Sequence, residues 1–110
     1  MSNVISPAAT TKYTELDGSV FHSQTANLAW EDWDLSATIP VNAKYVEILT
    51  MPKAATSVGV RKKGSAQNRL ISAAGAVCYA SVTCGVDANY KIETYDVTGG
   101  SLKIIGYWSW

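Results

Sequence analysis

The run Ala43-Lys44-Tyr45-Val46-Glu47-Ile48-Leu49-Thr50 alternates with a period of two, and that period most limits what this chain can become. Successive side chains of a strand point to opposite faces, so Val46, Ile48 and Thr50 share one face while Tyr45, Glu47 and Leu49 share the other. The pattern recurs downstream. Val58 and Val60 alternate with Gly59 and Arg61, and Tyr90, Ile92 and Thr94 alternate with Lys91, Glu93 and Tyr95. In the last run, Leu102, Ile104, Gly106, Trp108 and Trp110 read as one face, opposite Ile105 and Tyr107. Ala76 to Val86 is almost continuously apolar or small, which fits a central strand covered on both faces.

Turn chemistry punctuates these runs. Asp17-Gly18-Ser19 predicts a first hairpin over Tyr13–Phe21, and Thr98-Gly99-Gly100-Ser101 predicts another near the C-terminus. Thr25 to Trp30 reads as a strand leading to a turn at Asp34-Leu35-Ser36, with Pro40 at a loop or strand edge. Met51-Pro52-Lys53 ends the Ala43–Thr50 strand, Lys63-Gly64 is a tight turn, and Asp87-Ala88-Asn89 is a further one. Leu70 and Ile71 form a short apolar run before Gly75, and only Ser65–Ala74 leaves room for a helical turn. Eight or nine short strands without a convincing helix predict an all-β fold, an antiparallel jelly-roll-like β-sandwich of about eight strands. Residues 15–110 form that domain, and residues 1–14, small and polar around Pro7-Ala8-Ala9-Thr10-Thr11, read as an extended N-terminal arm.

With 110 residues there is room for one domain, which buries roughly two-thirds of its unfolded surface. Charged residues make up only 16% of the chain, against four Trp and six Tyr, more aromatic surface than one small core hides. The expectation is a homo-oligomer, or a domain covered by a larger assembly. Nine Lys and Arg balance nine Asp and Glu, so the basic stripe of a nucleic-acid partner is missing. The N-terminus has neither the basic start nor the apolar core of a signal peptide, and no apolar run is long enough to insert in a membrane. Cys78 and Cys84 sit six residues apart on one strand face, about 20 Å, beyond the ~7 Å reach of a disulfide. They read as free buried thiols, in keeping with folding in a reducing cytoplasm.

Reaction chemistry is sparse. His22 is the single histidine, and Phe21-His22-Ser23 carries no nucleophile motif, so it reads as a surface or edge-strand residue. One His and two Cys lack the spacing of a zinc site, and no Gly-rich phosphate loop is present, so no metal or cofactor is expected. Glu31, Asp32 and Asp34 are candidate paired carboxylates, with Asp32 and Asp34 on one face, yet acids at a strand end are usually solvated turn residues. The chain reads as a non-enzyme. The candidate contact residues are Trp30 and Trp33 beside the acids, the basic turn Arg61-Lys62-Lys63, and Trp108 and Trp110 at the C-terminus. Aromatics of this kind fill cores, make subunit interfaces or stack on sugar rings, and the final Trp110 is expected to be tucked against something.

Asp34-Leu35-Ser36, Ile39-Pro40, Ala43, Val46-Glu47-Ile48, Gly59-Val60-Arg61, Gly64-Ser65, Val86-Asp87, Asn89 and Ile105-Gly106-Tyr107 together resemble small β-sandwich modules of tailed-bacteriophage structural proteins. The resemblance covers about Asp34–Trp108 and rests on short turn-and-strand motifs. It implies a trimeric jelly-roll attached to a capsid as a decoration protein or to a tail fibre, made and assembled in the host cytoplasm and carried on the virion. A start at its own Met1 favours a stand-alone virion protein or an excised domain over a fibre tip. A carbohydrate-binding module for host glycan, using the tryptophans, is the alternative.

Overall fold

In the computed structural model the structure describes residues 11–23, 29–51, 57–72, 79–96 and 101–110. Nine strand segments are present: β1 (Lys12–Glu15), β2 (Phe21–Ser23), β3 (Ala29–Asp34), β4 (Ala43–Met51), β5 (Ser57–Lys62), β6 (Arg69–Ser72), β7 (Ala80–Gly85), β8 (Lys91–Asp96) and β9 (Ser101–Ser109). One sheet has the order β1-β9-β4-β7, with β2 also on β9; the other has the order β3-β8-β5-β6. Every pairing is antiparallel.

The pairings are nested. β1 and β2 pair with β9, β3 with β8, β4 with β7, and β5 with β6. Such a set is one long four-ribbon hairpin rolled up so that alternate ribbons fall in different sheets, sealed by β4–β9 in the first and β5–β8 in the second. Because β1 and β2 share one side of β9, nine segments fill eight positions, and the fold is the predicted jelly-roll-like sandwich.

The core lies between the sheets. Val46, Ile48 and Thr50 from β4, Val82 and Cys84 from β7, and Leu102 and Ile104 from β9 meet Trp33 of β3, Val58 and Val60 of β5, and Ile92 and Thr94 of β8. The buried Thr50 hydroxyl donates to the Ala80 carbonyl at 2.7 Å, so its polar group is satisfied where it is buried. Leu35 and Ile39 close one end, their loop fixed by Ile39 N–H donating to the Leu35 carbonyl. Cys84 is a buried free thiol whose pKa burial pushes up to about 12; Cys78 lies outside the described residues.

Several expectations are corrected. The Tyr13–Phe21 hairpin does not form: β1 and β2 lie end to end along β9, joined by a loop at Asp17-Gly18-Ser19. Each short segment gains more ladder from the nine-residue β9 than from the other. The residue range read as an arm has its last three residues, Lys12–Thr14, in β1; residues 1–10 lie outside the described set. β7 is the last strand of its sheet, with Val82 and Cys84 buried but Ser81 and Thr83 exposed, so it is not covered on both faces. The strands flanking the predicted Thr98–Ser101 hairpin, β8 and β9, belong to different sheets and do not pair with each other; residues 97–100 themselves, like the Pro52-Lys53 end of the Met51 turn and part of the Thr25–Trp30 run, are outside the described residues. Arg69–Ser72 is strand β6, where a helical turn had room.

The last strand carries the largest correction. Ile48 pairs with Ile104 but Glu47 pairs with Gly106, so Ile105 is an extra residue, a β-bulge. One extra residue inverts every side chain beyond it. Tyr107, paired with Val46, therefore packs on the core, and Trp108, paired with Tyr45, faces outward.

Candidate functional site

Cross-strand partners of an antiparallel sheet share a face, so the register defines the outer surface of the β1-β9-β4-β7 sheet. Tyr13, Trp108 and Tyr45 form one row across β1, β9 and β4. Tyr13 and Trp108 rings lie 4.8 Å apart, and Trp110 continues the row with its ring 5.8 Å from Tyr45. Trp110 is held by two bonds: its N–H donates to the Asn42 carbonyl at 3.2 Å, and Asn42 Nδ2 donates to its carbonyl at 2.8 Å. A second row holds Phe21, Lys103, Leu49 and Ser81. Tyr45, Trp110 and Phe21 are 46%, 48% and 53% exposed. An isolated domain rarely shows water so large an apolar tract.

Tyr13 is built into this face. Its ring lies over Gly106, where a Cβ would collide with the ring and hydroxyl, so the glycine is needed for the aromatic to lie flat. Its hydroxyl donates to Glu47 Oε1 at 2.8 Å. Burial, then the Glu47 hydrogen bond and charge, raise its pKa from 10.0 to about 12.

The outer face of the β3-β8-β5-β6 sheet is different in kind. Arg61 Nε donates to Glu93 Oε1 at 2.9 Å, Arg61 Nη1 to Asn68 Oδ1 at 3.0 Å, and the guanidinium lies 4.1 Å over the Trp30 ring. Trp30 also packs on Tyr95 at 5.4 Å. Lys63 Nζ donates to Asp32 Oδ1 at 2.8 Å, which raises the lysine pKa. Asp34 accepts from Ser36 N–H at 2.9 Å, and that bond holds its carboxyl below the usual carboxylate range. This face satisfies itself.

The predicted contact residues therefore separate. Trp33 is 7% exposed and belongs to the core, stacked on His22 at 5.1 Å, because Asp32 and Asp34 on either side of it point outward. Trp30 is capped by Arg61, and Arg61 and Lys63 are tied to acids. The three carboxylates are engaged separately: Glu31 Oε2 lies 2.7 Å from His22 Nε2, Asp32 holds Lys63, and Asp34 caps the Ser36 turn. His22 is a half-buried bridge between the sheets, and among the described residues no group of three His, Cys, Asp or Glu gathers as metal ligands.

Lys62, Trp110 and several residues that sequence reasoning passed over share a cleft of about 470 Å³ at one end of the sandwich. Lys44 reaches it as the extra residue of a second irregularity, between Ala43–Ser109 and Tyr45–Trp108. Arg69 enters from β6 and Gln67 and Ser65 from the β5–β6 loop, with Gly85 and Val86 beside them. An adjoining hollow of about 360 Å³ shares Lys44, Lys62 and Val86 and is bounded by Asp87 and Tyr90. Tyr90 adopts a left-handed φ of 62° after the Asp87-Ala88-Asn89 turn, a conformation usually left to glycine. Asp87 Oδ1 secures that turn by accepting from the N–H groups of Asn89 and Lys91 at 2.9 and 2.8 Å.

No protein-family model matches the chain, and no curated protein matches it. Among the described residues no helix is long and apolar enough to cross a membrane.

Proposed function

We propose that this chain is a non-catalytic assembly protein, a jelly-roll module that associates with copies of itself as a trimer and attaches to a larger particle, in the manner of tailed-phage capsid-decorating or tail-fibre modules. The observation that carries this reading is the contrast between the two outer faces. One presents Phe21, Tyr13, Trp108, Tyr45 and Trp110; the other ties Arg61, Lys63, Asp32 and Glu93 into ion pairs over Trp30. Aromatic residues of this type anchor interfaces, while satisfied ion pairs are content in water. A contact of about 800 Å² per partner is the ordinary size of a stable interface. Repeated copies on a symmetric particle add avidity without further contacts. The buried, reduced Cys84 suits folding in a host cytoplasm before assembly on a virion. The phage setting rests on the sequence resemblance.

Light scattering across a concentration series tests the association. The wild-type chain is expected at three times its monomer mass, and Phe21→Glu, which places a charge on the apolar face, is expected to be monomeric. Lys63→Gln on the opposite sheet leaves the mass unchanged. A wild-type monomer at high concentration, or a Phe21→Glu trimer, rejects the proposal.

The tryptophan-based carbohydrate reading keeps one specific support, the two exposed rings of Tyr45 and Trp110 at the rim of the end cleft.

A further inference from the structure

We propose that the end cleft is a binding site for a sugar that carries a carboxylate. The site lies at the end of the sandwich, where Tyr45 and Trp110 border the aromatic face; it requires the subunit contact to centre on Phe21, Tyr13 and Trp108 and to leave those two rings open at the cleft.

Three features converge there. The first is clustered positive charge. Lys44, Lys62 and Arg69 line one cleft on a chain whose net charge is zero, and the ion pairs among the described residues involve none of the three. Like charges gathered in a concave site focus potential toward an anion. Arg69 Nη1 donates to the Gln67 carbonyl at 3.0 Å, which orients the guanidinium and leaves further N–H donors for a planar, bidentate partner such as a carboxylate.

The second is an aromatic wall. Tyr45 and Trp110 stand at 50° to each other with centroids 5.8 Å apart, and such rings offer an apolar surface to the C–H face of a sugar ring. The third is the polar floor. Ser65 N–H donates to the Lys62 carbonyl and Ser65 Oγ accepts from Gln67 N–H, each at 2.9 Å, so the loop is fixed while the Ser65 hydroxyl hydrogen and the Gln67 amide remain to bond sugar hydroxyls.

Gly85 makes the space. A Cβ built there would stand 3.5 Å from the Tyr45 ring, 3.6 Å from the Lys44 carbonyl and 3.6 Å from the Lys62 stem, all ordinary contacts. The backbone tolerates a side chain at this point, and the cleft exists because none is present. The neighbouring hollow, continuous through Lys44 and Lys62, gives room for a second sugar unit. A nucleic acid would need cationic surface beyond these three residues, and nine acids against nine bases do not provide it.

Isothermal titration of the full chain with 3′-sialyllactose, a short galacturonate oligomer, lactose and a short oligothymidylate tests the site. At least one acidic sugar is expected to bind about tenfold or more tighter than lactose, the worth of one good charged hydrogen bond; which of the two binds separates a sialylated glycan from a uronic-acid polymer. Lys62→Gln and Arg69→Gln are each expected to weaken binding by about tenfold, and Gly85→Val to abolish it by filling the cleft, all with thermal melts near wild type. Phe21→Glu, far from the cleft, binds as wild type whether or not it alters the mass. The inference is overturned if neither acidic sugar binds, if lactose binds equally, if the oligothymidylate binds tighter than both sugars, or if the lysine and arginine variants bind unchanged.

Discussion

Gly106 and Tyr13 decide each other's identity. The glycine leaves the space that the tyrosine ring occupies, and the ring in turn covers backbone that a glycine would otherwise expose. Gly106→Ala is expected to cost about 1–3 kcal/mol, the usual penalty of overpacking. In a Tyr13→Ala background the same change is expected to be neutral or stabilising, because alanine suits a strand interior better than glycine. A double-mutant cycle in urea checks this, and additive costs would show that the two do not touch. The Tyr13 hydroxyl adds a pH signature. Its folded pKa of about 12 exceeds the ordinary 10.0, so its contribution is complete below pH 10 and is lost as pH rises through about 12. The stability gap between wild type and Tyr13→Phe is therefore expected to hold constant to pH 10 and then close, read from urea melts at each pH. At this scale the sequence was legible where alternation was strict. Trp33 was legible too, since Asp32 and Asp34 sharing an outer face oblige the residue between them to point inward. The aromatic-acidic setting drew attention to contact chemistry instead.

At the scale of elements, β4 could be read completely from its alternation, because Val46, Ile48 and Thr50 keep one parity from end to end. β9 could be read only as far as Ile104. Ile105-Gly106 carries no sign of a bulge beyond the glycine itself, and the bulge is set by pairing with β4, which lies more than fifty residues earlier in the chain. Its effect is large. Were Ile105 an ordinary member of the ladder, Gly106 and Trp108 would face the core and Tyr107 solvent. Deleting Ile105 puts Ile104 and Gly106 in unbroken register with Ile48 and Glu47 and is thus expected to keep cooperative unfolding and near-ultraviolet dichroism, whereas deleting Tyr107, in the regular part of the strand, turns Trp108 to the core side and is expected to abolish both. An unfolded Ile105 deletion beside a well-folded Tyr107 deletion would mean that the bulge does not set the face of β9. The β1–β2 hairpin was misread for a related reason: local turn signals at Asp17-Gly18-Ser19 were real, but the better partner for both segments was distant.

Over the whole molecule, the strand count and sandwich class followed from turn spacing, whereas the nesting of strand pairs did not, because first-with-last pairing leaves no local trace. The end cleft was equally hidden: Lys44, Lys62, Arg69 and Gly85 come from four strands and meet only once the roll is closed. The two outer faces give the molecule a direction, one rich in exposed aromatic rings, the other charged and self-paired. The docking proposed above assigns the contact to the aromatic face. Hydroxyl-radical footprinting of the chain at dilute and at associating concentrations tests it directly. Phe21, Tyr13 and Trp108 are expected to lose reactivity on association while Trp30 and Tyr95 keep theirs; protection of Trp30 and Tyr95 with Phe21, Tyr13 and Trp108 unchanged would contradict it.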